Sequence, residues 1–310
     1  MNLDLGKCKK VQIKGGDSMT ISEAKRMVRE FEMKDNPNEE DLFLFTEAMN
    51  FLINETKDPN YMMYLGGVYY DNKDFKLARK YYEMAAEYDI ESAHCCLGYI
   101  FYYGRTEEPD YKKALYHFEK SAALGNIQSA YKVADMYKNG YGVEKNYDKY
   151  KEIVEGLWPR IENAMRLDEP YPEIATRLAG IRAKEGEREE AIWLYQSAKE
   201  FLSQRMRYDG FFGNYTIMKL LIMNLYELIE LPMDDLDFWD LYEVLRKPCE
   251  VTFRYNRGGH TIKCMKENEE LIYSLDDHYF RNLDDLMKKG TLGDGRLGHV
   301  AGEIYMIEVK

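Results

Sequence analysis

A pattern about 36 residues long recurs along this chain, and that self-similarity constrains the fold more than any other feature. Residues 92–126, SAHCCLGYIFYYGRTEEPDYKKALYHFEKSAALGN, contain two helical patterns on either side of a turn marked by Gly and Pro. In the first, Ala93, Leu97, Gly98 and Phe101 fall on one helix face; in the second, Ala114, Phe118, Ser121 and Ala122 do the same. Shifting forward by one period lands the first pattern on Ser129, Val133, Ala134 and Tyr137, with Gly140 where the earlier copy has Gly104. Shifting back, Tyr61, Leu65, Gly66 and Tyr69 open a copy whose second helix carries Ala78, Tyr82, Ala85 and Ala86. A looser fourth copy reads Leu178, Ala179, Gly186, Ala191, Tyr195 and Ala198.

Such a unit is a pair of antiparallel helices. Small residues at Gly66, Gly98 and Ala134 let the paired helix approach closely, while Leu, Phe and Tyr nearby fill the space between. One pair cannot bury its own apolar face, so copies must stack. In the third copy the second helix carries Tyr150, Leu157 and Trp158 where small residues stood before, which predicts a local change in packing angle.

The pattern LGYIFYYGRTEEPDYKKALYHFEKSAALGN resembles a Sel1-like repeat, a relative of the tetratricopeptide repeat, and MYKNGYGVEKNYDKY resembles its turn region. The resemblance runs over residues 58–150 and more weakly over 170–206. It implies an α-α superhelical solenoid and a role as adaptor or scaffold.

Around the repeats, residues 20–33 and 38–55 read as two helices with N-caps at Thr20 and Asn38, separated by a break at Asn36-Pro37. Residues 215–230 form an apolar helix, and LDFWDLYEVLRK supplies another short one, punctuated by Pro232 and Pro248. Beyond Pro248 the texture changes: Val251, Phe253 and Tyr255 alternate with Thr252, Arg254 and Asn256, as in a half-buried strand. Gly258-Gly259 reads as a hairpin turn, with further strands at 260–265, 270–274 and 303–309 and a helix at 283–289. The expected fold class is therefore α+β, mainly α: a tail over 1–19, a helical repeat domain over 20–247, and a small β-rich module over 248–310.

The chemistry that the sequence excludes is as informative. The net charge of -12 opposes broad attachment to nucleic acid or anionic lipid, which need dense Lys and Arg. Lys7, Lys9, Lys10 and Lys14 read as a solvated arm. No stretch reaches the roughly 18 apolar residues of a membrane span. The start, MNLDLGKCKK, lacks the basic then apolar run of a secretory signal, so a cytoplasmic location is expected. Five cysteines, an odd number with no CxxC spacing, define neither a disulfide framework nor a zinc site. His94, Cys95 and Cys96 diverge by about 100° per residue on a helix and cannot all face one ion.

Gly293, Gly295 and Gly298 spell GxGxxG, but a helix is expected before them rather than a strand, and no acidic residue follows at the dinucleotide spacing. Asp276-Asp277-His278 reads as a turn between strands, and the Asp234, Asp235, Asp237 and Asp240 run lacks the glycine and glutamate of a calcium loop. No catalytic group, cofactor or metal is expected.

The informative surplus is aromatic: 27 tyrosines exceed what the repeat core can absorb. With the core stripe of the first helix assigned, Cys95, Tyr99 and Tyr102 form a second stripe at i, i+4 and i+7. The tetratricopeptide resemblance places that stripe on the concave groove. Equivalent positions are Met63, Gly67 and Tyr70 in the preceding copy and Tyr131, Asp135 and Lys138 in the next, with Tyr103 and Asn139 at the edge. Tyrosine offers a large contact area and a hydroxyl at low entropic cost. The expected function is a non-catalytic adaptor holding a peptide or helix of another protein in this groove. The alternative is a small-ligand sensor or cryptic enzyme domain in 248–310, with the repeats as its targeting element.

Overall fold

A computed structural model describes residues 19–35, 37–164, 166–208, 212–293 and 295–310, without the Phe212 side chain. The basic arm, Cys8 and Asn36 lie outside the described residues. The chain divides into two compact units, Met1–Tyr150 and Lys151–Lys310. It is mainly helical: tandem helix pairs come first and a small antiparallel sheet ends the chain.

In chain order the first helices are α1 (Ile21–Glu32), α2 (Glu39–Thr56), α3 (Pro59–Asp71), α4 (Phe75–Ala86), α5 (Glu91–Tyr102), α6 (Tyr111–Ala123), α7 (Ile127–Asn139) and α8 (Tyr147–Leu157). Their starts are written locally. Thr20 with Glu23, and Asn38 with Asp41, form reciprocal capping boxes, while Asp58, Asp74, Asp110 and Asn126 each accept a first-turn N–H. Helices α3 and α4, and α5 and α6, pack as antiparallel pairs. Leu65, Leu97, Ala114 and Phe118 are wholly buried between them; each large side chain so buried contributes about 2 kcal/mol of transfer free energy. Ala86, Ala122 and Tyr137, expected on the core stripe, are half-buried at its margin.

Two small residues set the spacing. A Cβ on Gly66 would lie 2.7 Å from the Tyr82 ring, and one on Gly98 would lie 2.5 Å from the Phe118 ring, so in both repeats an aromatic side chain rests directly on backbone. Consecutive repeats are tied by polar atoms as well. Ser129 donates its hydroxyl to Ser121 Oγ at 2.8 Å, and Ser121 donates to the Glu91 carbonyl at 2.7 Å.

The second unit holds α9 (Tyr171–Glu185), α10 (Arg188–Met206), α11 (Phe212–Leu228) and the one-turn helix α12 (Leu241–Val244). Of the looser copy, Leu178, Ala179, Ala191, Tyr195 and Ala198 are buried in the α9–α10 pair, while Gly186 is the exposed left-handed cap that ends α9. There follow β1 (Cys249–Tyr255), β2 (Gly258–Glu267), β3 (Glu270–Leu275), β4 (His278–Phe280), α13 (Leu283–Lys289), β5 (Thr291–Leu292), β6 (Gly295–Arg296), α14 (Leu297–Val300) and β7 (Tyr305–Val309). The five-stranded sheet has order β4-β3-β2-β1-β7 with antiparallel neighbours. Val251, Phe253, Ile262, Cys264, Tyr273 and Leu275 are buried on one face, with Leu286 and Met287 of α13 also in the core.

Two expectations are corrected here. The β1–β2 turn is Asn256-Arg257, with φ of 45° and 66°, and Gly258 and Gly259 belong to β2. Positive φ at both central residues is the turn that matches strand twist, and asparagine adopts it readily. The GxGxxG segment is preceded by the two-residue strand β5 and followed by the four-residue α14, with Gly293 turning the chain at φ 58°. One helical turn is too short to present the phosphate site of a dinucleotide fold.

Candidate protein-binding surface

The tyrosines of the inner stripe meet around the C-terminal end of α5. Tyr99 stacks on Tyr103 at 6.0 Å between ring centroids and sets its edge against Phe118 at 5.1 Å. Tyr102 makes edge contacts with Tyr103 at 5.1 Å, Tyr111 at 5.4 Å and Tyr141 at 6.1 Å, and Tyr111 stacks on Tyr141 at 4.9 Å. Edge and offset geometries are those that ring quadrupoles favour. Helix α5 thus positions Tyr99 and Tyr102, its C-cap positions Tyr103, the first residue of α6 is Tyr111, and the turn after α7 brings in Tyr141.

Cations frame the cluster. Lys132 Nζ sits 5.5 Å from the Tyr99 centroid and 5.8 Å from those of Tyr102 and Tyr131. The Arg105 guanidinium lies 5.3 Å from the centroids of both Tyr103 and Phe75, and Phe75 in turn meets Tyr70 edge-on at 5.1 Å. Burial raises the Tyr99 hydroxyl well above its ordinary range, with Tyr131 and Cys95 adding to the effect. Tyr102 is pushed up to about 12, again by burial first, with Tyr141, Tyr103 and Asp135 nearby. These hydroxyls are neutral donors at physiological pH.

Of the residues singled out from the sequence, the fold therefore brings Tyr70, Tyr99, Tyr102, Tyr103, Tyr131 and Asp135 into one neighbourhood. Their accessibility differs. Tyr103 is 45% exposed, whereas Cys95 and Tyr131 are each 7% exposed. The stripe is open at its Tyr103 end and closed at its Cys95 end, because α7 of the next repeat lays Tyr131 against Tyr99. Tyr70, Tyr99, Tyr102 and Asp135 are half-buried. Met63 is half-buried on α3, apart from these ring contacts. Lys138 is exposed on α7, its ammonium 5.0 Å from the Tyr150 centroid.

Sequence reasoning missed Lys132, Arg105, Tyr111 and Tyr141. A signal existed for Tyr141, which follows the left-handed cap Gly140 and so leaves the helix axis sideways. None existed for Lys132, which reaches rings of α5 from α7 only because the repeats stack.

Elsewhere, His94 and His117 bring their Nδ1 atoms to 3.0 Å, with His117 stacked on Phe101. Asp276 is structural: its carboxylate accepts the Thr261 N–H and contacts His260 Nδ1, both at 2.9 Å. Among the described residues no group of three or more His, Cys, Asp or Glu could hold a metal ion, and no helix is long and apolar enough to cross a membrane.

Paired helices at a fixed period, close-packed through glycine and aromatic ring, define a tandem helical-repeat protein. Its three copies are Sel1 repeats: the family model for the Sel1 repeat matches residues 62–87, 92–126 and 127–149. Repeats of this kind generally serve protein–protein interaction, and the C-terminal region adds a β-rich module. A Sel1 repeat protein from Oxalobacter formigenes is similar at 17% identity, over 62% of this chain and 77% of its own, with a TM-score of 0.45. A protective antigen present in uropathogenic Escherichia coli strains, displaying an SLR fold, is similar at 19% identity, over 67% of this chain and half of its own (50%), with a TM-score of 0.42. No curated protein matches.

Proposed function

We propose that the chain is a non-catalytic scaffold that holds an extended peptide or helix of another protein against the tyrosine surface at the end of α5. The carrying observation is the ring cluster of Tyr99, Tyr102, Tyr103, Tyr111 and Tyr141, framed by Lys132 and Arg105. Aromatic side chains held rigid by one another offer contact area without an ordering cost, the property that marks binding hot spots. A reducing cytoplasm fits Cys95, Cys96, Cys249 and Cys264, which are unpaired among the described residues. The test is affinity capture from the source cells with the parent chain and with the double variant Tyr102→Ala, Tyr103→Ala, captured proteins being identified by mass spectrometry. A protein retained by the parent and lost with the variant supports the surface; an unchanged set of captured proteins removes it.

A second reading places a small-molecule site in the unit that carries the sheet. It rests on a cleft of about 410 Å³ whose lining includes Lys199, Arg207, Tyr226, Asp240 and Gly302. Lys199 is held there by Asp240 at 2.5 Å and Asp237 at 2.7 Å, and Tyr226 donates to Asp240 at 2.7 Å. Thermal shift of the whole chain across metabolites, nucleotides and metals tests it; no stabilisation by any of them leaves it without support.

A further inference from the structure

Cys249 and Cys264 stand directly opposite each other in the antiparallel β1–β2 ladder. Directly paired residues in such a ladder project to the same face, with Cα atoms about 4.5 to 5.5 Å apart. That separation lies inside the range that a disulfide spans, roughly 4.4 to 6.8 Å. The thiols also converge. Cys249 Sγ contacts the Val244 carbonyl at 3.7 Å and Cys264 Sγ contacts the adjacent Leu245 carbonyl at 3.5 Å, so both point at the C-terminal end of α12. The Tyr273 hydroxyl, on the strand beyond, donates to the same Leu245 carbonyl at 3.3 Å. The backbone N–H of Cys249 reaches the Cys264 sulfur.

From this register and convergence we infer that Cys249 and Cys264 form a reversible intramolecular disulfide when the chain meets a low-molecular-weight disulfide such as oxidised glutathione. Cys249 is the entry point, since it is half-exposed while Cys264 is 3% exposed. Its sulfur attacks one glutathione sulfur, the glutathione S–S bond breaks, and the first glutathione leaves as a thiol carrying the Cys249 proton. The Cys264 sulfur then attacks Cys249 Sγ of the mixed disulfide, forming the protein S–S bond and releasing the second glutathione thiol with the Cys264 proton. Two electrons pass from the two protein thiols to the oxidant. Burial pushes the Cys249 thiol up to about 11, so little thiolate is present at neutral pH and exchange is slow.

Closing the bond has a local effect. Both S–H groups leave the carbonyls of Val244 and Leu245, so oxidation removes two links between α12 and the sheet while cross-linking β1 to β2. The pair is thus a redox-responsive element in the unit that contains the sheet, separate from the tyrosine surface.

The test incubates the full chain with oxidised glutathione, blocks the remaining thiols and maps tryptic peptides without reduction. Arg254, Arg257 and Lys263 lie between the two cysteines, so a bond appears as two linked peptides. The expected result is a peptide bearing Cys249 joined to one bearing Cys264, a monomer lighter by two hydrogens, and full reversal by dithiothreitol. The Cys264→Ser variant should stop at the mixed disulfide and retain glutathione on Cys249. A parent chain in which Cys249 keeps glutathione, or in which both thiols stay open to alkylation, overturns the inference. That readout needs no variant, so a poorly folding substitution does not spoil it.

Discussion

The Phe118 ring occupies the space that a side chain on Gly98 would need: a Cβ there would lie 2.5 Å from two ring carbons. Gly98→Ala must push α5 and α6 apart or force Phe118 off its rotamer, and overpacking of this kind costs about 1 to 3 kcal/mol. Thermal denaturation followed by circular dichroism should show a lower midpoint, partly restored by adding Phe118→Leu. An alanine variant that melts with the parent would show that the helices yield at no cost.

Stability and recognition should separate along the tyrosine cluster. Tyr103 is a C-cap with 45% exposure, so Tyr103→Ala is expected to stay within about 0.5 kcal/mol of the parent while weakening partner capture. Tyr99 sits between Tyr103, Phe118 and Tyr131, and Tyr99→Ala is expected to cost roughly 2 kcal/mol in addition. Urea denaturation of both variants beside a pull-down checks this; equal stability losses would place Tyr103 in the core.

The two imidazoles in the second repeat predict a pH dependence. Burial lowers the His117 pKa from 6.5 to about 4, with His94 and then Arg79 as further causes. His94 is also lowered, by burial first; Asp89 opposes the shift and Lys120 adds to it. The folded state thus holds neutral rings while the unfolded state takes up protons below pH 6.5. Stability from this source is present above that value and is lost as pH falls toward about 4, by on the order of 3 kcal/mol for His117. Chemical denaturation at pH 7 and pH 5 should show the fall, and His117→Phe should reduce it. An unchanged pH profile in that variant would assign the loss to other groups.

In the second unit Arg205 is nearly enclosed. It donates to Glu173 at 2.7 Å and to the carbonyls of Leu167 at 2.6 Å and Glu169 at 2.5 Å. Glu173→Ala leaves a buried guanidinium without its carboxylate and is expected to cost about 3 to 5 kcal/mol. Arg205→Lys should also destabilise, because one ammonium cannot reach three acceptors set in a fork. A loss under about 1 kcal/mol in Glu173→Ala, measured by denaturation, would mean that water or Asn214 replaces the carboxylate.

The repeats were legible because helix pairing depends on residues close in sequence: Gly66, Gly98, Phe118 and Tyr82 carry both period and packing. The capped starts at Thr20 and Asn38 were legible for the same reason, since a cap is a contact over three residues. The β1–β2 turn was misplaced by two residues because Gly-Gly is the louder local signal, while Asn256-Arg257 is fixed by strand register. The tyrosine cluster was only half legible. Periodicity gives a helix face, but whether that face is open depends on the next repeat, and Tyr131 of α7 closes part of it. Arg205 gave no sign at all, since the acceptors that enclose its guanidinium, on Leu167, Glu169 and Glu173, lie more than 30 residues away.

The serine chain between repeats bears on how the first unit comes apart. Ser129, Ser121 and the Glu91 carbonyl form a buried relay from α7 through α6 to α5, and separating those helices would strand each of its members in an apolar seam. Nearest-neighbour coupling of this kind sets the length over which a repeat array melts as one. The second and third repeats should therefore exchange their amide hydrogens as a single block, and a mechanical pull should release them in one step.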